Sequence, residues 1–316
     1  MKKVEKANAV AAEVKKVIVG KDESVDIVMT AILAGGHVLI EDIPGMGKTT
    51  MALAFAKAMN LKQNRVQFTP DVLPSDITGF TMYNKANDTF VYQPGAAMCN
   101  LLLADEINRT SPKTQSALLE VMEEGNVTVD GITREVPNPF IVIATENPIG
   151  SAGTQMLPES QLDRFMVCIK IGYPKPEEEV DIIRSRREKN PLDLVTPALV
   201  EGELVQMQKE VASIYIHENV YRYIADLAAA TRNCDMLELG ISPRGSLALS
   251  RMAQARAYLM ERDFVIPNDV ASVFSSVAAH RVRISSKAKM NQKTGEEVLE
   301  QLLEEVIKPS PEKGIS

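Results

Sequence analysis

The stretch His37-Val38-Leu39-Ile40-Glu41-Asp42-Ile43-Pro44-Gly45-Met46-Gly47-Lys48-Thr49-Thr50 decides how the rest of the chain is read. His37 to Ile40 is a short apolar run ending at two acids, which predicts a buried strand. Met51 to Met59 is breaker-free and rich in Ala, Leu and Met, which predicts a helix. A glycine-rich loop therefore joins a strand to a helix. Such a turn holds an anion when backbone N–H groups at a helix N-terminus aim at it and glycines permit close approach. A lysine then reaches the β and γ phosphates, and a hydroxyl serves Mg²⁺. Gly45, Gly47, Lys48 and Thr49 supply these parts, and Pro44, Met46 and Thr50 complete the loop. Asp42 stands where the usual motif has its first glycine. A carboxylate pointing inward there would repel phosphates, so its side chain is expected to face away.

Upstream, Val4 to Val19 and Ser24 to Leu33 carry apolar residues at helical spacing, closed by Gly20 and by Gly35-Gly36. Downstream, Asn100 to Ala104 is a second apolar run, capped by Asp105-Glu106. A helix is expected from Pro112, after the capping residues Thr110 and Ser111, with Leu118, Leu119 and Met122 on one face. Val127-Thr128-Val129 and Ile132 to Val136 flank Asp130-Gly131, the signature of a tight hairpin. Phe140 to Ala144 is the most strand-like run and ends at Thr145-Glu146-Asn147-Pro148. Three buried strands separated by helices predict an α/β layered sheet. At Tyr173-Pro174-Lys175-Pro176 the texture changes to a helical pattern without strands, which puts a domain boundary between residues 1–173 and 174–316. Helices are expected at Glu177 to Lys189, Leu199 to Glu210, Asn219 to Thr231, Arg244 to Glu261 and Asn268 to His280, with a loose tail at Pro309-Ser310-Pro311.

Downstream of a phosphate loop, two acids at the tip of an apolar strand have a chemical reading. Asp105 can hold the Mg²⁺ shell beside Thr49, while Glu106 polarises an attacking water. Asn147 follows the third buried strand, at the end of a parallel sheet where ligand-contacting groups gather. Arg164 in Leu162-Asp163-Arg164-Phe165 and Arg244 in Ser242-Pro243-Arg244 read, each alone, as surface cations.

Together, Ile43 to Thr49, Phe68 to Asp76, Leu103 to Arg109, Ala144 to Pro148, Leu162 to Phe165 and Ser242 to Arg244 resemble the MoxR family of AAA+ ATPases, in order and over nearly the whole chain. The resemblance implies a P-loop αβα sandwich with a parallel five-stranded sheet, followed by a small all-α lid. It also implies ATP and Mg²⁺ as cofactors, and a ring, usually hexameric, with nucleotide bound between neighbouring subunits. By the same resemblance Asn147 matches sensor 1, which orients the water. Arg164 matches the arginine finger offered to the adjacent subunit, and Arg244 resembles sensor 2, where the lid meets the phosphates. Ile18, Val19 and Gly20 match the part that lines the adenine pocket. Members of this branch carry a β-type insertion, matched by about residues 78–94, and a hairpin, matched by residues 126–136; such projections are where a ring grips a client.

The chain of 316 residues has room for about two domains of roughly 150 residues. Its 35 basic and 42 acidic side chains leave a formal net charge of −7, which disfavours a nucleic-acid or anionic-lipid partner. Three widely spaced cysteines fit neither a disulfide framework nor a zinc site, and a reducing cytoplasm is the expected location. No apolar segment is long enough to span a bilayer or serve as a leader, so no membrane partner is expected. His37, His217 and His280 are scattered and are assigned no chemistry. The expectation is an ATP-hydrolysing ring that remodels or matures a partner protein, including metal or cofactor insertion. The family resemblance points to a partner bearing a von Willebrand factor A domain. The competing reading is a nucleic-acid motor or loader on the same core. A nucleotide-binding scaffold without hydrolysis ranks last, because Glu106, Asn147 and Arg164 are all present.

Overall fold

The computed structural model describes residues 3–43, 45–147, 157–188 and 190–309. Helices α1 (Lys3–Lys15) and α2 (Asp22–Leu33) precede β1 (Val38–Glu41), and α3 (Lys48–Ala58) follows the glycine-rich loop. Next come β2 (Gln63–Gln67), the short α4 (Pro74–Thr78), the hairpin β3 (Phe80–Asn84) and β4 (Thr89–Gln93), and β5 (Leu101–Asp105). Then α5 (Pro112–Glu124), the hairpin β6 (Asn126–Val129) and β7 (Ile132–Glu135), β8 (Ile141–Glu146), α6 (Glu159–Leu162) and β9 (Val167–Ile169) follow. The remainder runs α7 (Pro176–Glu188), α8 (Glu203–Ala212), α9 (Glu218–Asn233), β10 (Leu237–Leu239), α10 (Pro243–Leu259) and α11 (Pro267–Ala278). It ends with β11 (Arg283–Ile284), α12 (Ser286–Met290) and α13 (Gly295–Glu305).

The central sheet has the order β2-β5-β8-β1-β9, and every neighbouring pair is parallel. Successive side chains of a strand point to opposite faces. Val38, Ile40, Leu101, Leu103, Ile141 and Ile143 accordingly join the core built with α1, α2 and α3. Leu39, Leu102, Ala104, Val142 and Ala144 pack on the other face with Leu118, Leu119 and Met122 of α5. A parallel sheet covered on both faces needs apolar residues at every position, which is why these strands read as unbroken apolar runs. β2 carries no such run, and β9, though apolar, is very short. β2 is an edge strand of alternating exposed and half-buried residues, Gln-Asn-Arg-Val-Gln, and β9 is only three residues long.

Ser111 caps α5 by accepting from Thr114 N at 3.3 Å, with Pro112 in the first turn, so this helix begins where the sequence places it. His37 is a structural bridge: its Nδ1 accepts from Val142 N at 3.0 Å, which leaves Nε2 to donate to Met122 O at 3.0 Å. Burial pushes its imidazole down to about 4, so it stays neutral in that role.

Beyond β9 the fold is helical, with α10 at its centre packed against α2, α8, α9 and α11 through Ala248, Leu249, Met252, Ala253 and Ala257. One feature differs from the strand-free expectation. β10 and β11 pair as an antiparallel ribbon, three and two residues long, too short to leave a periodic pattern. α13 packs Val298 and Leu302 beside Leu237 of that ribbon. Its start carries a capping box between Thr294 and Glu297, a local signal that the sequence holds in Thr-Gly-Glu-Glu. No helix among the described residues is long and apolar enough to cross a membrane.

Leu102 is fully buried within β5, between β2 and β8. Leu102→Ala is expected to cost about 2 to 5 kcal/mol of stability. Urea denaturation of the two proteins, compared by midpoint at constant slope, measures it.

Candidate active site

β1 ends at Glu41, and the chain turns through Gly45 (φ 90°) and Gly47 (φ 81°), both in left-handed territory that favours glycine. Gly47 is the N-cap of α3, so Lys48 and Thr49 open the helix over the ends of the parallel strands. Lys48 is buried, and its Nζ donates to Asp42 O and to Glu146 O, the latter at 3.1 Å. Burial pulls this ammonium below its ordinary value, and the carboxylates of Asp42, Glu106, Asp105 and Glu146 pull the other way.

Asp42 faces away as expected, and it does structural work there. Its Oδ1 accepts from Ile43 N at 2.8 Å, and its Oδ2 accepts from Ile171 N at 2.8 Å and Gly172 N at 2.6 Å. The carboxylate thus ties the start of the loop to the chain leaving β9.

Asp105 at the tip of β5 is buried. Its Oδ2 accepts from Thr49 Oγ1 at 3.3 Å and from Arg65 Nε at 2.8 Å, and its Oδ1 from Thr145 Oγ1 at 3.3 Å. Glu106 has φ 56° and ψ 49°, a left-handed conformation that a non-glycine residue adopts only under constraint. Its backbone N–H donates to Thr145 Oγ1 at 2.9 Å, and its Oε2 accepts from Gln67 Nε2 at 2.9 Å and Arg109 Nη1 at 2.7 Å. Lys48, Thr49, Arg65, Gln67, Asp105 and Glu106 line one cavity. A second cavity shares Gly45, Gly47 and Thr50 with it and is walled by Ile18, Val19, Met46 and Tyr173. Gly20 packs against the Glu178 carboxylate, where a side chain would collide. Pro44 lies outside the described residues. Asn147 is half-buried just past β8, and its carbonyl accepts from Asn108 Nδ2 at 3.1 Å.

The two predicted arginines lie together, away from that cavity. Arg164 Nη1 donates to Leu119 O at 2.6 Å and pairs with Glu123 Oε2 at 3.1 Å, while Arg244 Nη2 pairs with Glu123 Oε1. The Nε of Arg164 is buried without a hydrogen-bond partner among the described residues.

Arg65, Gln67, Thr145 and Glu123 carry no local sequence signal that marks them for this site. Arg65 and Gln67 are polar residues on an edge strand, and only the register Gln67 against Asp105 brings them to the acids. Glu146, in sequence, marks only the end of a strand. Its side chain is buried, and Oε2 has no hydrogen-bond partner among the described residues. Burial first, and then Glu41 alongside, push its carboxyl up to about 7, against the pull of Lys48.

A glycine loop entering a helix, an acidic strand tip beside its hydroxyl and a helical lid define a P-loop ATPase of the AAA+ class. The chain matches the family described as "ATPase family associated with various cellular activities (AAA)" over residues 37–167, and "AAA lid domain" over residues 229–302. It is 44% identical over 296 residues to the Bacillus subtilis protein YeaC, covering 94% of this chain and 92% of that one. It is 39% identical over 306 residues to "Chaperone MoxR1" of Mycobacterium tuberculosis, covering 94% and 81%. A solved crystal structure from Cytophaga hutchinsonii superposes with a TM-score of 0.90 at 34% identity, over 98% of this chain and 96% of that one. The chain belongs to the MoxR family of AAA+ ATPases, and it hydrolyses ATP.

Glu146 makes stability pH-dependent. Its ordinary value is 4.5 and its folded value about 7, so the folded state keeps the proton to higher pH. The stability this contributes is full below pH 4.5 and is lost as pH rises through 7. Glu146→Gln is uncharged throughout, so it gains on the wild type between pH 5 and pH 8, by on the order of 1 to 3 kcal/mol. Thermal unfolding of both proteins at the two pH values checks this; a constant difference would place the buried charge elsewhere.

Proposed function

We propose that the chain is a subunit of a cytoplasmic hexameric ring that couples ATP hydrolysis to chaperone-like remodelling or maturation of a partner bearing a von Willebrand factor A domain. One observation carries the enzymatic part. The Thr49 hydroxyl meets the Asp105 carboxylate at 3.3 Å, in a cavity whose walls also hold Lys48 and Glu106. Thr49 and Asp105 are hard oxygen donors, the kind Mg²⁺ takes together with phosphate oxygens, so they fit that ion. Bound there, Mg²⁺ would neutralise charge on the phosphates. Ile18 and Val19, in the wall of the adjoining cavity, would hold the adenine. The phosphates would follow the loop from Gly45 and Met46 to Thr50, with Lys48 serving the β and γ phosphates. Glu106 takes the proton of the attacking water, and Asn147 orients that water.

Arg164 and Arg244 share Glu123 and stand outside the walls of their own Lys48 cavity. That separation supports their acting on the nucleotide of the adjacent subunit. The division of the chain at residue 173 is supported by the sheet ending with β9. Phe80, Met82, Tyr83 and Phe90 of the first hairpin and Ile132 of the second are exposed apolar side chains, which supports contact between these projections and a client.

Lys48→Ala is expected to abolish tight ATP binding, because it removes the charge facing the β and γ phosphates. Glu106→Gln is expected to bind ATP and to hydrolyse it at a small fraction of the wild-type rate, since the amide keeps the shape and loses the base. Direct nucleotide binding and single-turnover hydrolysis separate the two. Near-normal affinity in the first variant, or near-normal turnover in the second, reassigns that residue.

Arg164→Ala is expected to lower turnover by on the order of 10³ to 10⁵ while ATP still binds. Mixed with Glu106→Gln protomers, it regains part of the activity, because each variant supplies what the other lacks. ATPase rate against mixing ratio, with mixed assembly verified independently, is the measurement. A curve that never exceeds both parents places Arg164 in its own subunit's chemistry or in the fold alone.

A further inference from the structure

Arg281, in the turn after α11, has only 2% of its side chain exposed, and every donor of its guanidinium is engaged. Nε donates to Asp163 Oδ1 at 2.7 Å. Nη1 donates to Met166 O at 3.1 Å and Val277 O at 2.5 Å, and Nη2 to Asp163 O at 3.1 Å and Phe165 O at 2.6 Å. A guanidinium has five N–H donors, so none remains for any other task. His280 adds a contact from its Nε2 to Phe165 O at 3.1 Å.

Three of the carbonyls held this way belong to Asp163, Phe165 and Met166, which bracket Arg164. The backbone of the finger segment is therefore fixed from the lid, while the Arg164 side chain reaches α5 at Leu119 and Glu123. The same carboxylate reaches the second arginine. Asp163 Oδ2 accepts from Ser242 Oγ at 2.8 Å, and Ser242 Oγ in turn accepts from Gly245 N at 3.2 Å as the N-cap of α10, in the first turn that carries Arg244. Gly245 permits the approach, since a Cβ there would stand 3.0 Å from Arg281 Cδ.

We infer that Arg281 and Asp163 are positioning residues for ATP hydrolysis, a pair of buried Arg281 and half-buried Asp163 that sets Arg164 and Arg244 in register with each other. This rests on the reading of those arginines as acting across the subunit boundary. Arg281 touches no nucleotide. Its fork spans carbonyls from two segments at once, which a lysine's single ammonium does not reproduce. Asp163 serves two donors with its two oxygens, and an asparagine has one acceptor oxygen for both.

The experiment uses the full chain with Asp163→Asn, Arg281→Lys or Arg164→Ala. ATP affinity, KM and kcat are measured for each, and each is then mixed with Glu106→Gln protomers under subunit exchange. For Asp163→Asn and Arg281→Lys, ATP affinity and KM are expected within about twofold of wild type. Their kcat should fall at least about tenfold, and by no more than the roughly 10³ to 10⁵ that an arginine finger supplies. Mixed rings should recover part of the activity, because these protomers keep a sound site and borrow a sound finger. Loss of ATP affinity in step with kcat, without recovery on mixing, overturns the inference in favour of a purely structural pair. If Arg281→Lys does not fold, Asp163→Asn decides alone. Wild-type kcat in Asp163→Asn with Arg164→Ala silent overturns the positioning role and leaves the finger reading standing. Wild-type kcat in Arg164→Ala overturns the finger reading and the positioning role with it.

Discussion

The parallel pairing of β1, β8 and β5 puts the ends of three apolar strands along one edge, and the chemistry follows from what those ends carry. Glu41 pairs with Glu146, and Ala104 with Ala144, so Asp105 and Thr145 emerge side by side. The glycine loop leaves the same edge and returns as α3, which sets Lys48 and Thr49 over the strand tips. A one-residue slip of β5 would turn Asp105 to the other face of the sheet. The apolar packing on both faces prevents that slip, so the core fixes the register and the register assembles the site.

That edge concentrates acid. Asp42, Asp105, Glu106 and Glu146 all act on the buried Lys48. The protein manages this charge in different ways. Asp42 is spent on backbone N–H groups beyond β9, and Asp105 shares its oxygens among Thr49, Arg65 and Thr145. Glu106 is tethered by Gln67 and Arg109, in a backbone conformation that the surrounding packing has to enforce. Glu146 is placed where burial favours its neutral form. A cluster of acids facing a lysine is a poor arrangement for stability alone, and a good one for holding a cation beside a phosphate chain.

The helical half contributes through contacts of a different kind. Its buried Arg281 grips the segment around Arg164, and Ser242 links that grip to the start of α10. These bonds cross more than a hundred residues of chain for Arg281 and 79 for Ser242. The lid and the end of the sheet thus share one polar seam, and the two arginines leave it towards the same glutamate, Glu123.

Much of the fold and the centre of the site was legible because the relevant signals are local. The loop Gly45 to Thr50, the apolar runs before Asp105 and Asn147, and the Ser111-Pro112 helix start each depend on a few adjacent residues obeying backbone and burial rules. The edge strands β2 and β9 and the ribbon β10–β11 were not legible, since they are polar or two to five residues long and owe their conformation to a neighbouring strand. The same physics divides the functional residues. The sequence by itself determined the glycine loop between a strand and a helix, the acidic strand tip and the family. Tertiary structure alone decided that Arg65 and Gln67 reach the acids, that Glu146 is buried beside Lys48, and that Arg164 and Arg244 converge on Glu123. Burial, register and long-range hydrogen bonds are properties of the packed chain, and no stretch of neighbouring residues encodes them.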